Sequence, residues 1–330
     1  MKNAPKCLLY LRGFLLKIKA GGKKLKIGLP RGLYYYKFDA FLEGFLMRLG
    51  VEVIVSPETN KNILIDGVNT CVDDACLPVK LFHGHVMYLR DKCDLIIVPR
   101  ILEMEKKEFV CPKFIGLPEM LKNSIPGLPK ITEMPLFMHD SKKLLKWCEW
   151  IGRFAGVENA RVRESFWMAF EKIKKPGRGI DECNRLYKVG LLGHPYNIYD
   201  RFANMDVIKK LERLDTGVIT EECVLERDKT EVYRSLLINP FWSSIKETLG
   251  AGVHLANKKE VDGVIYLSSF QCGIDSVTID LLKDFIGGFP LLVLKLDEHS
   301  GEAGLETRIE AFIDMIKRRQ IIGTNVPSYG

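Results

Sequence analysis

A chain of 330 residues, 47% hydrophobic and 28% charged, is long enough to bury two cores and too ordinary in composition to be disordered or fibrous. Its net charge of +7 gathers at the start, where the first 26 residues hold eight Lys and Arg and no acidic residue; the remainder is near neutral and lacks the basic, aromatic-laced stripe of a nucleic-acid binder. No stretch is apolar enough to cross a bilayer, and nine cysteines, odd in number and widely spread, fit reduced thiols in the cytoplasm better than a disulfide framework.

Residues 1–24 read as a basic arm. Their apolar run, Cys7 to Leu16, is broken by Arg12 and followed by lysines, with no small-residue cleavage site, so it does not read as a secretory signal. From residue 25 short apolar strands alternate with amphipathic helices, the pattern of helices covering a mainly parallel sheet. The first lobe, 25–140, has predicted strands at Leu25–Leu29, Glu52–Val55, Leu95–Val98, Lys113–Gly116 and Ile131–Met134. A helix is predicted over Tyr34–Leu49, with Phe38, Phe41, Leu42, Phe45 and Leu49 at helical spacing and a stop at Gly50.

A helical connector, 141–180, follows, with Ser141 as the expected N-cap and Pro176-Gly177 as the break. The second lobe, 181–330, repeats the alternation. Its predicted strands are Lys188–Leu192, Thr216–Ile219, Gly263–Leu267 and Pro290–Leu296, with helices near Asp200–Leu214, Phe241–Asn257, Ser276–Ile286 and Leu305–Arg318. The expected fold is therefore α/β: two flavodoxin-like lobes with mainly parallel sheets, joined by helices. In such sheets ligands bind beyond the carboxyl ends of the strands, so a shared site would be built from post-strand loops of both lobes.

Three cysteines fall where that geometry is useful. Cys76 stands two residues before Pro78, near a predicted helix start, where free amides and the helix dipole stabilise a thiolate. Cys111 begins a Cys-Pro pair, common at iron–sulfur ligands. Cys272 follows a strand and precedes Gly273, which permits a tight turn. Cys71 is a fourth candidate. The competing account is that all four are small buried hydrophobes; zinc is a second metal candidate, although no Cys-x-x-Cys knuckle is present. His194, Glu298 and His299 also follow strands and are candidates for groups that shuttle protons or orient a ligand, against a plain solvated loop for the last two. No phosphate loop, strand-linked G-x-G-x-x-G or nucleophile elbow occurs, so ATP hydrolysis, ordinary NAD binding and serine hydrolysis are not expected.

From Lys26 to Arg318 the sequence resembles the 2-hydroxyacyl-CoA dehydratase component D and acyl-CoA dehydratase activase-related family. The resemblance rests on KIGLPRGLYYY from Lys26, VIVSPETNK from Val53, DDACLPVKLFHGHV from Asp73, DLIIVPRI from Asp94 and CPKFIGLPE from Cys111. In the second lobe it rests on GLLGHPYNIYD from Gly190, SSFQCGID from Ser268 and LKLDEHSGEAGLETRIEAF from Leu294. It implies an iron–sulfur cluster held by Cys76, Cys111 and Cys272, either a 4Fe-4S centre with one iron open or a double-cubane 8Fe-9S type. It also implies an ATP-hydrolysing iron–sulfur activator in trans, because this chain matches the cluster-binding part alone, and a homodimer or a heterodimer with a related subunit. The function so implied is low-potential redox chemistry on a small substrate at an open iron. The alternatives are a 2-hydroxyacyl-CoA dehydratase subunit, although no CoA-binding element is recognisable, and a non-catalytic iron–sulfur carrier or scaffold. Lys80 and Lys113 are expected on the exposed face that such an activator would meet.

Overall fold

The computed structural model describes residues 24–173, 179–235 and 241–324. Most of the basic arm and the Pro176-Gly177 break lie outside the described residues. The first lobe is a parallel sheet of β1 (Lys26–Leu29), β2 (Glu52–Val55), β3 (Leu95–Ile96) and β6 (Lys130–Ile131), in the order β2-β1-β3-β6. The second lobe is a parallel sheet of β8 (Tyr187–Gly193), β9 (Thr216–Thr220), β10 (Gly263–Ser269) and β11 (Leu291–Leu296), in the order β11-β10-β8-β9. Counted within each lobe, both sheets run 2-1-3-4, the flavodoxin-like order. A small third sheet, β4 (Ile101–Glu105) between β5 (Glu108–Phe109) and β7 (Leu136–Phe137), is inserted in the first lobe.

Helix α1 (Tyr35–Leu49) buries Phe38, Phe41 and Phe45 against the first sheet and ends at Gly50, whose φ of 81° is the left-handed stop that glycine permits. Helices α2 (Lys61–Thr70) and α3 (Leu77–Leu89) form a hairpin. The hairpin closes on glycine: a Cβ on Gly67 would meet the Lys80 carbonyl oxygen at 2.1 Å, and one on Gly84 the Ile63 carbonyl oxygen at 1.9 Å. Helix α3 is apolar nearly all round and is buried accordingly. It gives Val79, Phe82 and Val86 to the core of the first lobe, and Leu77 and Leu81 to that of the second.

Four local expectations are corrected. The segment 113–116 is not a strand but part of a one-turn helix, α4 (Pro112–Ile115), because Pro112 at its first position presets helical φ; α5 (Leu117–Ser124) follows. Asp140, not Ser141, caps α6 (Ser141–Phe154), its carboxylate accepting from the Lys142 and Lys143 amides. Between Asp200 and Leu214 only α9 (Val207–Arg213) is regular; Asp200 instead caps a turn at the Phe202 and Ala203 amides, and Met205 and Asp206 take positive φ. Lys80 is 3% exposed and paired with Glu298, so it is no surface lysine.

After α6 comes α7 (Asn159–Phe170), and both pack onto the first lobe. Trp147, Cys148, Val162 and Phe166 join its core, with Phe166 edge-on to Phe41. The second lobe continues with α8 (Pro195–Ile198), α10 (Glu226–Ser235), α11 (Ser243–Asn257), α12 (Gly273–Ile286) and α13 (Glu302–Thr324). Half-buried and buried polar groups tie the lobes together. Lys37 on α1 holds the Glu247 carboxylate at 2.8 Å and 2.9 Å, and Thr59 donates to Asp200 at 2.5 Å. Since the Thr59 proton goes to Asp200, its oxygen accepts from His85 Nε2 at 3.0 Å, and His85 Nδ1 in turn faces the Ser56 hydroxyl at 2.9 Å. Burial drives the His85 pKa down to about 3, so a neutral imidazole backs the Thr59–Asp200 contact that links the lobes.

Candidate metal centre

Cys76, Cys111 and Cys272 each stand at the N-cap of a helix: α3, α4 and α12 respectively. Pro78 and Pro112 preset the first turns of α3 and α4. At α12 the chain leaves β10 and turns through Gln271 at φ 65° before Gly273, whose Cα faces open space. None of the three sulfurs closes a capping hydrogen bond, and none is in a disulfide.

The fold links the three cysteines through shared core: Cys76 and Cys111 pack against one hydrophobic cluster, and Cys111 and Cys272 against another. Burial, the largest influence on each, pushes the Cys76 thiol up to about 11 and raises Cys111. A negative charge on Cys272 opposes the ionisation of both, and one on Cys111 opposes that of Cys76; Lys113 favours the anion at both sites. Gln271 fastens the Cys272 loop to the Cys76 loop. With its amide turned to suit its surroundings, the nitrogen donates to the Asp74 and Ala75 carbonyls at 3.0 Å and to that of Asp73 at 3.2 Å. Lys113 Nζ also reaches the Asp74 carbonyl, at 3.4 Å.

Cys76 and Cys111 pack against a core cluster that holds Tyr34, Phe114 and Tyr196. Tyr34 lies 4.9 Å from Phe114 and 6.1 Å, edge-on, from Tyr196, which stacks on His194 at 4.8 Å. Tyr34 and Tyr196 are held as neutral phenols, first by burial and then by the charges nearby, which include Cys272 for both. His194 follows Gly193, where φ is 138° and an added Cβ would meet the Leu267 carbonyl oxygen at 2.3 Å, so no side chain is admitted. Its Nε2 lies 3.1 Å from Asp275 Oδ1 and 3.9 Å from Cys272 Sγ. Burial alone would depress the His194 pKa, but the adjacent Asp275 carboxylate holds it well above the usual histidine range. Asp275, 1% exposed, also accepts from the Tyr266 and Ser268 hydroxyls, each at 2.9 Å.

The remaining candidates stand elsewhere. Cys71 is the C-cap residue of α2, with Lys80, Lys113 and Glu298 as its charged neighbours. Glu298 is committed to Lys80, and His299 is exposed on a turn that Asp297 caps at the His299 amide. Sequence reasoning missed Asp275, Tyr34, Tyr196 and Gln271. The usable signal was Cys-x-x-Asp in the first turn of α12, where residues three apart share a face; no local signal marks the other three.

The donor chemistry fits an iron–sulfur group. Three free cysteines at helix N-caps, Cys76 and Cys111 packed against one core cluster and Cys111 and Cys272 against another, make a soft sulfur donor set of the kind that binds iron–sulfur groups. His194, Cys272 and Asp275 also have donor atoms within 4.8 Å of one another, but Asp275 already accepts three hydrogen bonds, which suits a partner of the histidine better than a ligand.

Family models describe the chain in two overlapping parts. Residues 26–224 match the CoA enzyme activase uncharacterised domain (DUF2229), and residues 168–316 match the 2-hydroxyglutaryl-CoA dehydratase D-component. No curated protein matches. Solved structures give only faint likenesses. A two-component system response regulator/GGDEF domain protein is 11% identical, with 89% of this chain and 100% of that chain covered and a TM-score of 0.23. Glucosamine-6-phosphate deaminase from Thermotoga maritima is 10% identical, covering 92% and 87%, with a TM-score of 0.20. Tagatose-6-phosphate ketose/aldose isomerase from Escherichia coli is 11% identical, covering 94% and 84%, at 0.22. At such scores they carry no argument.

Proposed function

Because the chain belongs to the CoA enzyme activase uncharacterised-domain family, we propose that it is a low-potential iron–sulfur redox protein that reduces a small substrate. One observation carries this reading: three free cysteines, two from one lobe and one from the other, each cap a helix, with Cys76 and Cys111 packed against one core cluster and Cys111 and Cys272 against another. Cys76, Cys111 and Cys272 would hold the cluster, of 4Fe-4S or double-cubane type, and Cys71, which has Lys113 as a charged neighbour in common with Cys76 and Cys111, is the candidate for a fourth ligand. Such a cluster supplies one-electron chemistry at low potential.

The chain's own residues do the rest. Tyr34, Phe114 and Tyr196 form buried aromatic packing next to Cys76 and Cys111, and His194 gives its Nε2 proton to Asp275. Lys113 adds positive charge where thiolates gather. The electron source is an ATP-hydrolysing iron–sulfur activator in trans, since this sequence has no phosphate loop of its own. A cytoplasmic setting suits eight described cysteines that are all free thiols. A dehydratase subunit is the second reading, favoured by the match of residues 168–316 to the D-component; it would show as a change in cluster spectrum on adding a 2-hydroxyacyl-CoA. An iron–sulfur carrier would show neither that change nor turnover.

The test is anaerobic reconstitution followed by iron and sulfide assay and electron paramagnetic resonance of the reduced protein. Iron and acid-labile sulfide in comparable amounts, lost on aeration, are expected. A colourless protein holding stoichiometric zinc overturns the reading.

A further inference from the structure

Glu221 opens the turn that follows β9, at the carboxyl end of the second sheet, and is 3% exposed. Its Oε2 is buried without a hydrogen-bond partner. Two further carboxylates stand beside it, Glu222 in the same turn and Glu247 on α11, and both oppose a third negative charge. The nearby cations are committed to others: Lys37 on α1 holds Glu247 at 2.8 Å and 2.9 Å, and Lys229 on α10 holds Glu226 at 2.9 Å. Thr248 on α11 supplies a side-chain hydrogen bond. A buried carboxyl group with an unsatisfied oxygen, no cation of its own and two like charges for neighbours keeps its proton.

This cluster borders the cysteine centre. Cys111 and Cys272 pack against the hydrophobic cluster that contains Ile219 and Val224, to either side of Glu221, and Ile245 and Leu249, to either side of Glu247. Tyr34 lies in the field of both groups: burial first, and then the charges of Glu247, Cys111, Glu221 and Cys272, hold its phenol neutral. Tyr199 and Tyr266, the other phenols in the field of Glu221, are neutral as well. Water reaches the Lys37–Glu247 pair, whose side chains are 29% and 30% exposed, but scarcely Glu221.

We propose that Glu221 is the proton carrier of the cysteine centre, holding at its buried carboxyl the proton that follows each electron to substrate. The inference rests on the iron–sulfur reading above. At neutral pH the proton is in place before the electron arrives from the external reductant. When that electron passes to substrate, the Glu221 O–H bond breaks and the proton goes to the negative charge formed there. The carboxylate regains a proton from water on the half-exposed Lys37–Glu247 side, so one electron and one proton move per step. By linkage, an electron at the centre tightens proton binding at Glu221 as much as that proton favours the electron.

The experiment uses the full chain, reconstituted anaerobically with iron and sulfide, with titanium(III) citrate as reductant and the midpoint potential read by electron paramagnetic resonance across a pH series. In wild type the potential should be level below pH 8 and fall above it, approaching about 59 mV per pH unit, the tenfold step of a one-electron couple. Glu221→Gln, neutral at every pH, should keep its iron and show no fall. Above the break its reduced-to-oxidised ratio at a fixed potential should exceed that of wild type at least tenfold. Glu222→Gln removes one repelling charge, so its fall should remain and begin at a lower pH.

A level wild-type potential, a fall that survives in Glu221→Gln, a break that Glu222→Gln leaves in place, or loss of iron from Glu221→Gln overturns the proposal. Infrared difference spectra of the iron-free chain keep two failures apart. A protonated-carboxyl band that fades as pH rises through 8 and is missing from Glu221→Gln is expected with or without iron; its absence overturns this proposal alone. A wild-type chain that shows the band but takes up no iron removes the cluster reading, and this inference with it.

Discussion

Cys148 and Cys272 are the same residue type in opposite circumstances. Cys148 is fully buried among Trp147, Ile151 and Val162 on α6, where burial raises its pKa well above the ordinary value and no charge calls for a thiolate. Cys272 caps a helix beside an imidazole and within the field of two other thiols. Cys76→Ala, Cys111→Ala and Cys272→Ala are each expected to lose the cluster, whereas Cys148→Ala and the exposed Cys183→Ala keep full iron content; iron assay after anaerobic purification checks all five. If Cys272→Ala kept its iron, the site would belong to one lobe only. A second residue-scale effect is independent of any metal. Glu221, 3% exposed, is pushed up to about 8 by burial and then by Glu222 and Glu247, while the unfolded chain releases that proton near 4.5. Folded Glu221 binds its proton more tightly, so its contribution is complete below pH 4.5 and is lost as pH rises towards 8. Between pH 5 and 8 the melting temperature of wild type should fall relative to Glu221→Gln by at least about 2 °C. Parallel melting curves across that range would count against a protonated Glu221.

The α2–α3 hairpin is the element on which the centre depends, because Cys76 sits in its turn and α3 serves both cores. Its two glycines are required by backbone contact rather than by dihedral angle. Gly84→Ala puts a methyl group into the Ile63 carbonyl, which cannot yield without parting the helices. The expected loss is at least about 3 kcal/mol, the upper end of overpacking costs, read from the denaturant midpoint, together with reduced iron retention. Gly44→Ala on α1 is the matched control: its Cβ would meet only the flexible end of Lys172, at 3.1 Å. Relief from a mid-helix glycine makes that change neutral or stabilising by up to about 1 kcal/mol. Similar losses in both would mean that helix propensity, not the close approach, is being measured. Cap chemistry was partly visible beforehand. Pro78 and Pro112 mark helix starts in any sequence, but a one-turn helix such as α4 is too short to show a period, which is why 113–116 reads as a strand.

At the scale of the whole molecule, the three cysteines come from two lobes of the same strand order, Cys76 and Cys111 from the first and Cys272 from the second. The lobes are held by Lys37–Glu247, by Thr59–Asp200 and by α3 itself. A site built across such a junction can respond to a partner that binds both sides, which suits electron delivery by an activator. Alone, the protein should hydrolyse no ATP, and its cluster should be reduced slowly by ordinary reductants. A cognate activator with ATP should accelerate reduction, followed by stopped-flow absorbance; equal rates with and without ATP would leave an ordinary electron carrier. Lys80 is not available to such a partner, because Glu298 holds it inside, and Lys113 faces the cysteine loops. The sequence by itself determined the α/β alternation, the strands of the two parallel sheets and the cysteines worth weighing, but not the inserted three-stranded sheet or the helix at 112–115, since periodicity, turn residues and Cys-Pro are local properties. Only the tertiary structure decided what surrounds those cysteines. Asp275 behind His194, Tyr34 opposite Tyr196 and the Gln271 tether join residues far apart in the chain, and burial fixes their protonation, a quantity that depends on every neighbour the fold supplies.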